Sequence, residues 1–308
     1  MYSNSDINSP YMCLSARKCP PPDETKVVVF QASQGPATFK VPKGVQSLNL
    51  LLVGGGGKGA DASDTLGSTG GGGGGGGAIF IKNKISVIPG SVIVVTPGAG
   101  GVATSPAGAP TRVNIGQAVY ATGHVAPAVK ATPGSPQGPA LGSPTLYLAG
   151  GRGGTGKENG SSGGTGGGGG GAGGGSTTGG DGGDGGNDSG PTLPTCGKDG
   201  GGGGGGSGGS LRFQGGAGGG GTYIFKALSQ ALGGCATATQ TYGGGSATGG
   251  ETGGNNATDS PDGLPGGKYG AGGGGGTFTA TGLGSGGNGG DGLVVISYGP
   301  GSAFPREN

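Results

Sequence analysis

The sequence predicts a mostly β protein: a small antiparallel β-sandwich or jelly roll with an inserted bundle of polyglycine-II helices. Three observations carry that reading. Ninety-three of the 308 residues are glycine. The glycines fall in blocks, residues 70–77 and 200–206 among them, that alternate with short segments such as AIFI and GTYIFK. Those segments are β-branched and aromatic runs bounded by Gly, Pro and Asn, the pattern of strands joined by turns.

Two physical readings of the glycine compete. Gly/Ser-rich chain ordinarily behaves as a flexible coil, because ordering glycine costs more backbone entropy than ordering any other residue. The reading adopted here is order, with the entropy offset by contact between backbones. An extended threefold helix rises about 3.1 Å per residue and has no internal hydrogen bonds. Several such helices without Cβ atoms can lie close enough for N–H groups of one to meet C=O groups of the next. Eight glycines would make a rod of about 25 Å. The strict Gly-X-Y period of collagen is absent.

Along the chain, residues 1–24 read as an N-terminal attachment arm rich in Ser, Asn and Pro. Residues 25–149 carry most of the strands and the first glycine block: KVVVF, TFKV, LNLLLV, AIFI and VIVV, then the weaker TRVNI, AVYAT and TLYLA. The unbroken apolar run of residues 50–53 suits a strand buried on both faces. Pro42-Lys43-Gly44 and Pro89-Gly90 read as turns, proline presetting φ and glycine accepting positive φ. Residues 150–290 form the glycine field, with LRF, TYIFKALSQAL and TFTAT as short interruptions. Residues 291–308 hold a closing strand, LVVISY, and a C-terminal tail, so the field reads as an insertion between strands of one unit.

Composition narrows the function. Apolar residues are 30% of the chain, so the conventional core is small and comes from the strands. Charged residues are 10% and the net charge is +2, with no basic stripe of the kind nucleic-acid binding needs. No apolar run approaches the ~18 residues of a membrane span. The N-terminus lacks the charged start and apolar stretch of a secretory signal, and the retained Met1 is read as native, full-length material. Nucleic acid, membrane insertion and cofactors are therefore not expected.

Catalytic patterns find little to stand on. G-x-G-x-x-G arises by chance at this glycine frequency. GRGGTGK, residues 151–157, approaches a phosphate loop, but Glu158 stands where a Mg²⁺-binding Ser/Thr is needed. Ser207 sits in G-x-S-x-G with glycine on both flanks, where a nucleophile elbow needs a strand and a helix. His124 is the single histidine and lies in a turn-like context. GGDGGDGGN, residues 179–187, has the look of one calcium nonapeptide repeat; without stacked repeats, Asp181, Asp184, Asn187 and Asp188 read as a solvated loop. No metal site and no enzymatic activity are expected. The sequons at Asn159, Asn187 and Asn256 are expected to be unused.

Four cysteines allow three pairings. Cys13 and Cys19 flank a short loop; a disulfide closing it and a reduced pair both remain open. Arg212, Phe213, Tyr242, Lys268 and Tyr269 are the candidate binding residues, either as contacts at loop tips or as caps on the apolar ends of the bundle.

VVVFQASQGPATFKVPKGVQSLNLLLVGGGG, VIPGSVIVVTPGAGG and GGNGGDGLVVISY together resemble the glycine-rich domain family of phage tail-fibre and large DNA virus proteins, over roughly residues 26–298. GGGGGGGGAIFI and GGAGGGGTYIFK resemble blocks in the glycine-rich ectodomain of anaplastic lymphoma kinase receptors, and the layout is similar to the polyglycine adhesins of T-even phages. The resemblance implies a non-enzymatic structural component of a virion, a fibre, spike or capsid-decorating subunit at the virion surface. Its implied partners are other virion structural proteins, further copies of itself, and a host-surface glycan or protein. Two alternatives stand beside it: a host-receptor-binding adhesin acting through loop tips, and a secreted or receptor-like ligand-binding module.

Overall fold

The computed structural model describes residues 24–63, 70–123, 139–157, 181–182, 184, 261–279 and 282–304. Ten strands form two five-stranded antiparallel sheets. The first sheet has the order β1-β12-β3-β4-β9, built from β1 (Lys26–Gln31), β12 (Leu293–Tyr298), β3 (Ser47–Val53), β4 (Ile79–Ser86) and β9 (Leu146–Leu148). The second has the order β2-β5-β6-β7-β8, from β2 (Ala37–Lys40), β5 (Val92–Thr96), β6 (Arg112–Ile115), β7 (Ala118–Thr122) and β8 (Pro139–Leu141). A two-residue ladder pairs β10 (Phe278–Thr279) with β11 (Gly282–Leu283). The expected mostly-β sandwich is what forms, and each of the nine β-patterned runs from KVVVF to TLYLA and LVVISY lies in a strand. The short β8 had no clear signal, since it opens with proline.

Packing follows from alternation. Leu48, Leu50, Leu52, Phe80, Ile93, Val95, Val113, Val294 and Ile296 meet between the sheets in one buried cluster. The ring of Phe80 lies 6.2 Å from that of Tyr120 in an edge-on arrangement, a favoured geometry for aromatic pairs. Leu51, Val53, Ile79, Ile81, Leu146, Leu148, Leu293 and Val295 form a second buried cluster on the opposite face of the first sheet. β3 is thus buried on both sides, as its unbroken apolar run predicts. Gly44 and Gly90 adopt φ of 85° and 84° in the two expected turns, a region open to glycine without steric cost.

The segment after β12 is clamped down on that second face. Asn83 Nδ2 donates to the carbonyl of Phe304 and the Phe304 N–H donates to Asn83 Oδ1, both at 3.0 Å. Asn49 Nδ2 donates to Ser302 Oγ at 2.9 Å, and Ser297 Oγ donates to the Ser302 carbonyl at 2.6 Å. Asn49 is freed for this because the β3–β4 register shifts beside it, between Leu48 and Leu50. The bulge is held by Lys84, whose φ is 59° and whose N–H donates to Asn49 Oδ1 at 2.9 Å. The predicted tail is, through Phe304, part of the outer core.

Candidate functional site

The feature that distinguishes this protein is the body its glycine segments build. Segment 54–63 follows directly from β3, and its N–H groups turn through three neighbours in succession. Gly54, Gly57 and Ala60 donate to Ala78, Gly75 and Gly72 at 2.9–3.0 Å. Gly55 and Lys58 donate to Ala109 and Pro106 at 3.0 and 2.9 Å. Gly56, Gly59 and Ala62 donate to Gly290, Gly287 and Gly284, each at 2.9 Å. Each neighbour is met every third residue and runs antiparallel. A β-strand pairs at a period of two with neighbours in one plane; here the period is three.

The same rule governs the other segments. Gly70, Gly73 and Gly76 donate to Lys157, Gly154 and Gly151 at 2.8–3.0 Å. Gly71, Gly74 and Gly77 donate to Gly276, Gly273 and Gly270 at 2.6–2.8 Å. Residues 151–157 therefore serve as a rod neighbour to residues 70–77, and GRGGTGK does not form a phosphate-cradling loop. The network draws on residues from both sides of position 150.

Its arrangement comes from the sandwich. Segments 54–63, 70–78, 149–157 and 284–292 continue β3, β4, β9 and β12 past one end of the first sheet, while 97–101 and 105–111 continue β5 and β6 past the same end of the second. Within a sandwich, side chains hold sheets ~10 Å apart. Beyond β3 the chain becomes glycine and the layers close until Gly55 hydrogen-bonds Ala109. Thr111, fully buried, sits at that change of spacing. Its Oγ1 donates to the Val53 carbonyl at 2.6 Å and accepts the Gly98 N–H at 2.8 Å. Its own N–H donates to Thr122 Oγ1 at 3.0 Å. Thr111→Val keeps the shape and leaves the buried Gly98 N–H without its acceptor, so we expect a loss of about 1–3 kcal/mol in urea unfolding, with Thr111→Ser closer to wild type.

At five N–H groups of the network the acceptor is an aspartate carboxylate in place of a backbone carbonyl. Asp61 Oδ1 accepts the Gly286 N–H and Asp262 Oδ1 the Ser285 N–H, both at 2.8 Å. Asp291 Oδ1 accepts from Gly100 at 3.0 Å. Asp181 and Asp184 accept the N–H groups of Arg152 and Thr155 at 2.9 and 2.7 Å. Both pairs are spaced by three, the period of the rods. These two carboxylates are half-buried pairing groups, where a solvated loop was expected. The sequence signal for this role is the spacing of three, in Asp181 and Asp184 of D-G-G-D and in Asp61 after Lys58. Among the described residues no three His, Cys, Asp or Glu side chains come together as metal ligands.

Lys58 is buried in the network, and its Nζ donates to Asp61 Oδ1 at 2.5 Å and to the Gly59 carbonyl at 3.1 Å. Burial pushes the Asp61 carboxyl up. The Lys58 hydrogen bond, the Gly286 N–H and the Lys58 charge outweigh that and hold it below the ordinary 3.8. A depressed carboxyl stabilises the fold above its unfolded-state pKa, and that stability is lost as pH falls through the lower folded value. The Asp61 side chain is 64% exposed, so solvent limits the term to about 1 kcal/mol or less. Asp61→Asn should flatten the acid limb of the stability profile below roughly pH 4 and leave its neutral-pH shape unaltered, measured by thermal melts across pH.

Of the candidate binding residues, Lys268 and Tyr269 lie together just before the rod 270–277. Both are partly buried, and Tyr269 packs against the outer cluster of the first sheet. Arg212, Phe213, Tyr242, Cys13, Cys19, His124 and Ser207 lie outside the described residues. A family model described as glycine-rich domain matches residues 31–299. No curated protein matches the chain significantly.

Proposed function

The chain belongs to the glycine-rich domain family, and from that premise we propose that it is a non-enzymatic structural component of a virion, a fibre, spike or capsid-decorating subunit. The observation that carries this reading is the three-neighbour amide network. It turns side-chain-free chain into a body whose shape is set by backbone pairing, which suits a part that bears load and displays surface. The conformation we assign to its rods is the threefold polyglycine-II helix, supported by the period of three in the donors of segments 54–63 and 70–77. Residues 1–24 serve as the attachment arm, with other virion proteins as the partners. Mass spectrometry of purified particles should find the chain as a stoichiometric component. Recovery from secreted or cell-surface fractions and not from particles would overturn the assignment.

A further inference from the structure

Among the described residues the sandwich has four edge strands, and three of them are blunted. β9 and β8 are three residues long, and β8 opens with Pro139. β2 has four residues and ends in the exposed Lys40. β1 is different. It has six residues, an unshifted register with β12 on its one paired side, no proline and no bulge. Its single charge, Lys26, stands at its first position, ion-paired with Glu24 at 2.7 Å. Soluble proteins ordinarily protect such an edge, because it is a template for another strand.

The direction of its free groups can be read from one bond. The Gln31 N–H donates to Gln34 Oε1 at 3.1 Å, so at Gln31 the backbone points away from β12. Backbone groups alternate along an antiparallel strand, so Val27 and Val29 also present N–H and C=O outward. Their side chains are 52% and 43% exposed, whereas Val28 and Phe30 pack on the inner core.

We propose that β1 pairs antiparallel with β1 of a second copy of this chain, about a two-fold axis at Val28, joining the two first sheets into one continuous sheet. The choice of occupant and register rests on self-complementarity. A two-fold at Val28 sets Val27 of one copy opposite Val29 of the other, twice over, so that four hydrogen bonds use outward groups alone. A two-fold at Val29 would set Val27 opposite Gln31, whose N–H is already committed to Gln34. With the axis at Val28, Lys26 faces Phe30 and no like charges are opposed. The inference goes beyond the virion reading, and either can fail without the other.

Sedimentation of the full chain over a wide concentration range tests it. The wild-type chain should dimerise. Val29→Pro removes one outward N–H and leaves the β12 ladder intact, since proline is tolerated where an edge strand's N–H faces out. It should weaken dimerisation at least about tenfold, the effect of losing roughly 1.4 kcal/mol, with the melting temperature of the monomer kept. The double variant Val27→Lys/Val29→Lys, at exposed sites, sets like charges directly opposite across the axis and should be monomeric even if the proline variant folds poorly. A wild-type chain that stays monomeric at all concentrations overturns the proposal, as does a dimer indifferent to the double variant. Slow amide exchange at Val27 and Val29 in a monomer would also overturn it, because another part of the chain would then cover the edge.

Discussion

Gly74→Ala should destabilise the protein by at least about 3 kcal/mol, against the ordinary gain of about 0.4–1 kcal/mol when glycine is replaced at a permissive site. A Cβ at Gly74 would lie 2.7 Å from the carbonyl carbon of Gly57, closer still to its oxygen, and 2.9 Å from the carbonyl carbon of Lys58. Those atoms cannot retreat cheaply. Segment 54–63 is pinned by Gly55 to Ala109, by Gly56 to Gly290 and by Gly57 to Gly75, so a shift breaks several bonds each worth about 0.5–1.5 kcal/mol. Gly71 and Gly77, three residues to either side, face the same segment with the same lack of room. Gly282 is the control: a Cβ there meets nothing within 4 Å, and Gly282→Ala should stay within about 0.5 kcal/mol of wild type. Were residues 70–77 a solvated coil, Gly74→Ala would be neutral or mildly stabilising. Equal melting temperatures for the two variants would refute the packed-rod account.

Phe80→Ala should cost about 3–5 kcal/mol. Phe80 is wholly buried between the sheets, with Tyr120 against its ring, and it lies in β4, which is paired on both sides by β3 and β9. The consequence should extend past the sandwich. β4 is the direct continuation of rod 70–78, so loosening it removes the anchor that sets the rod's register. Amide exchange at residues 70–77 should accelerate together with that of β3 and β4, and heat should unfold both parts in one transition. Two separate transitions, with the glycine rods outlasting the sandwich, would show that the rods are not organised by the strands they extend.

Much of the sandwich was legible because strand chemistry is local. Alternation in VIVV places Ile93 and Val95 inside and Val92 and Val94 outside, and the unbroken run in β3 marks burial on both faces. The clamp on Phe304 and the bulge at Asn49 were not legible. The clamp depends on residues more than 200 positions apart meeting and the bulge on Asn49 meeting Lys84 across the β3–β4 pair, and nothing in GPGSAFPREN distinguishes a docked segment from a loose one. The carboxylate acceptors were half-legible: their spacing of three is visible in the sequence, but it has meaning only once the period of the rods is known.

By itself the sequence determined the nine β-patterned strands, the burial of β3 on both faces, and that about a third of the chain has no side chain to keep backbones apart. Only the tertiary structure decided which rods are neighbours and in what register. The reason is that a glycine run is the same at every position, so it carries no information with which to choose a partner. For the rods that extend β3, β4, β9 and β12 the choice is imposed covalently, by strands whose side chains have already chosen theirs.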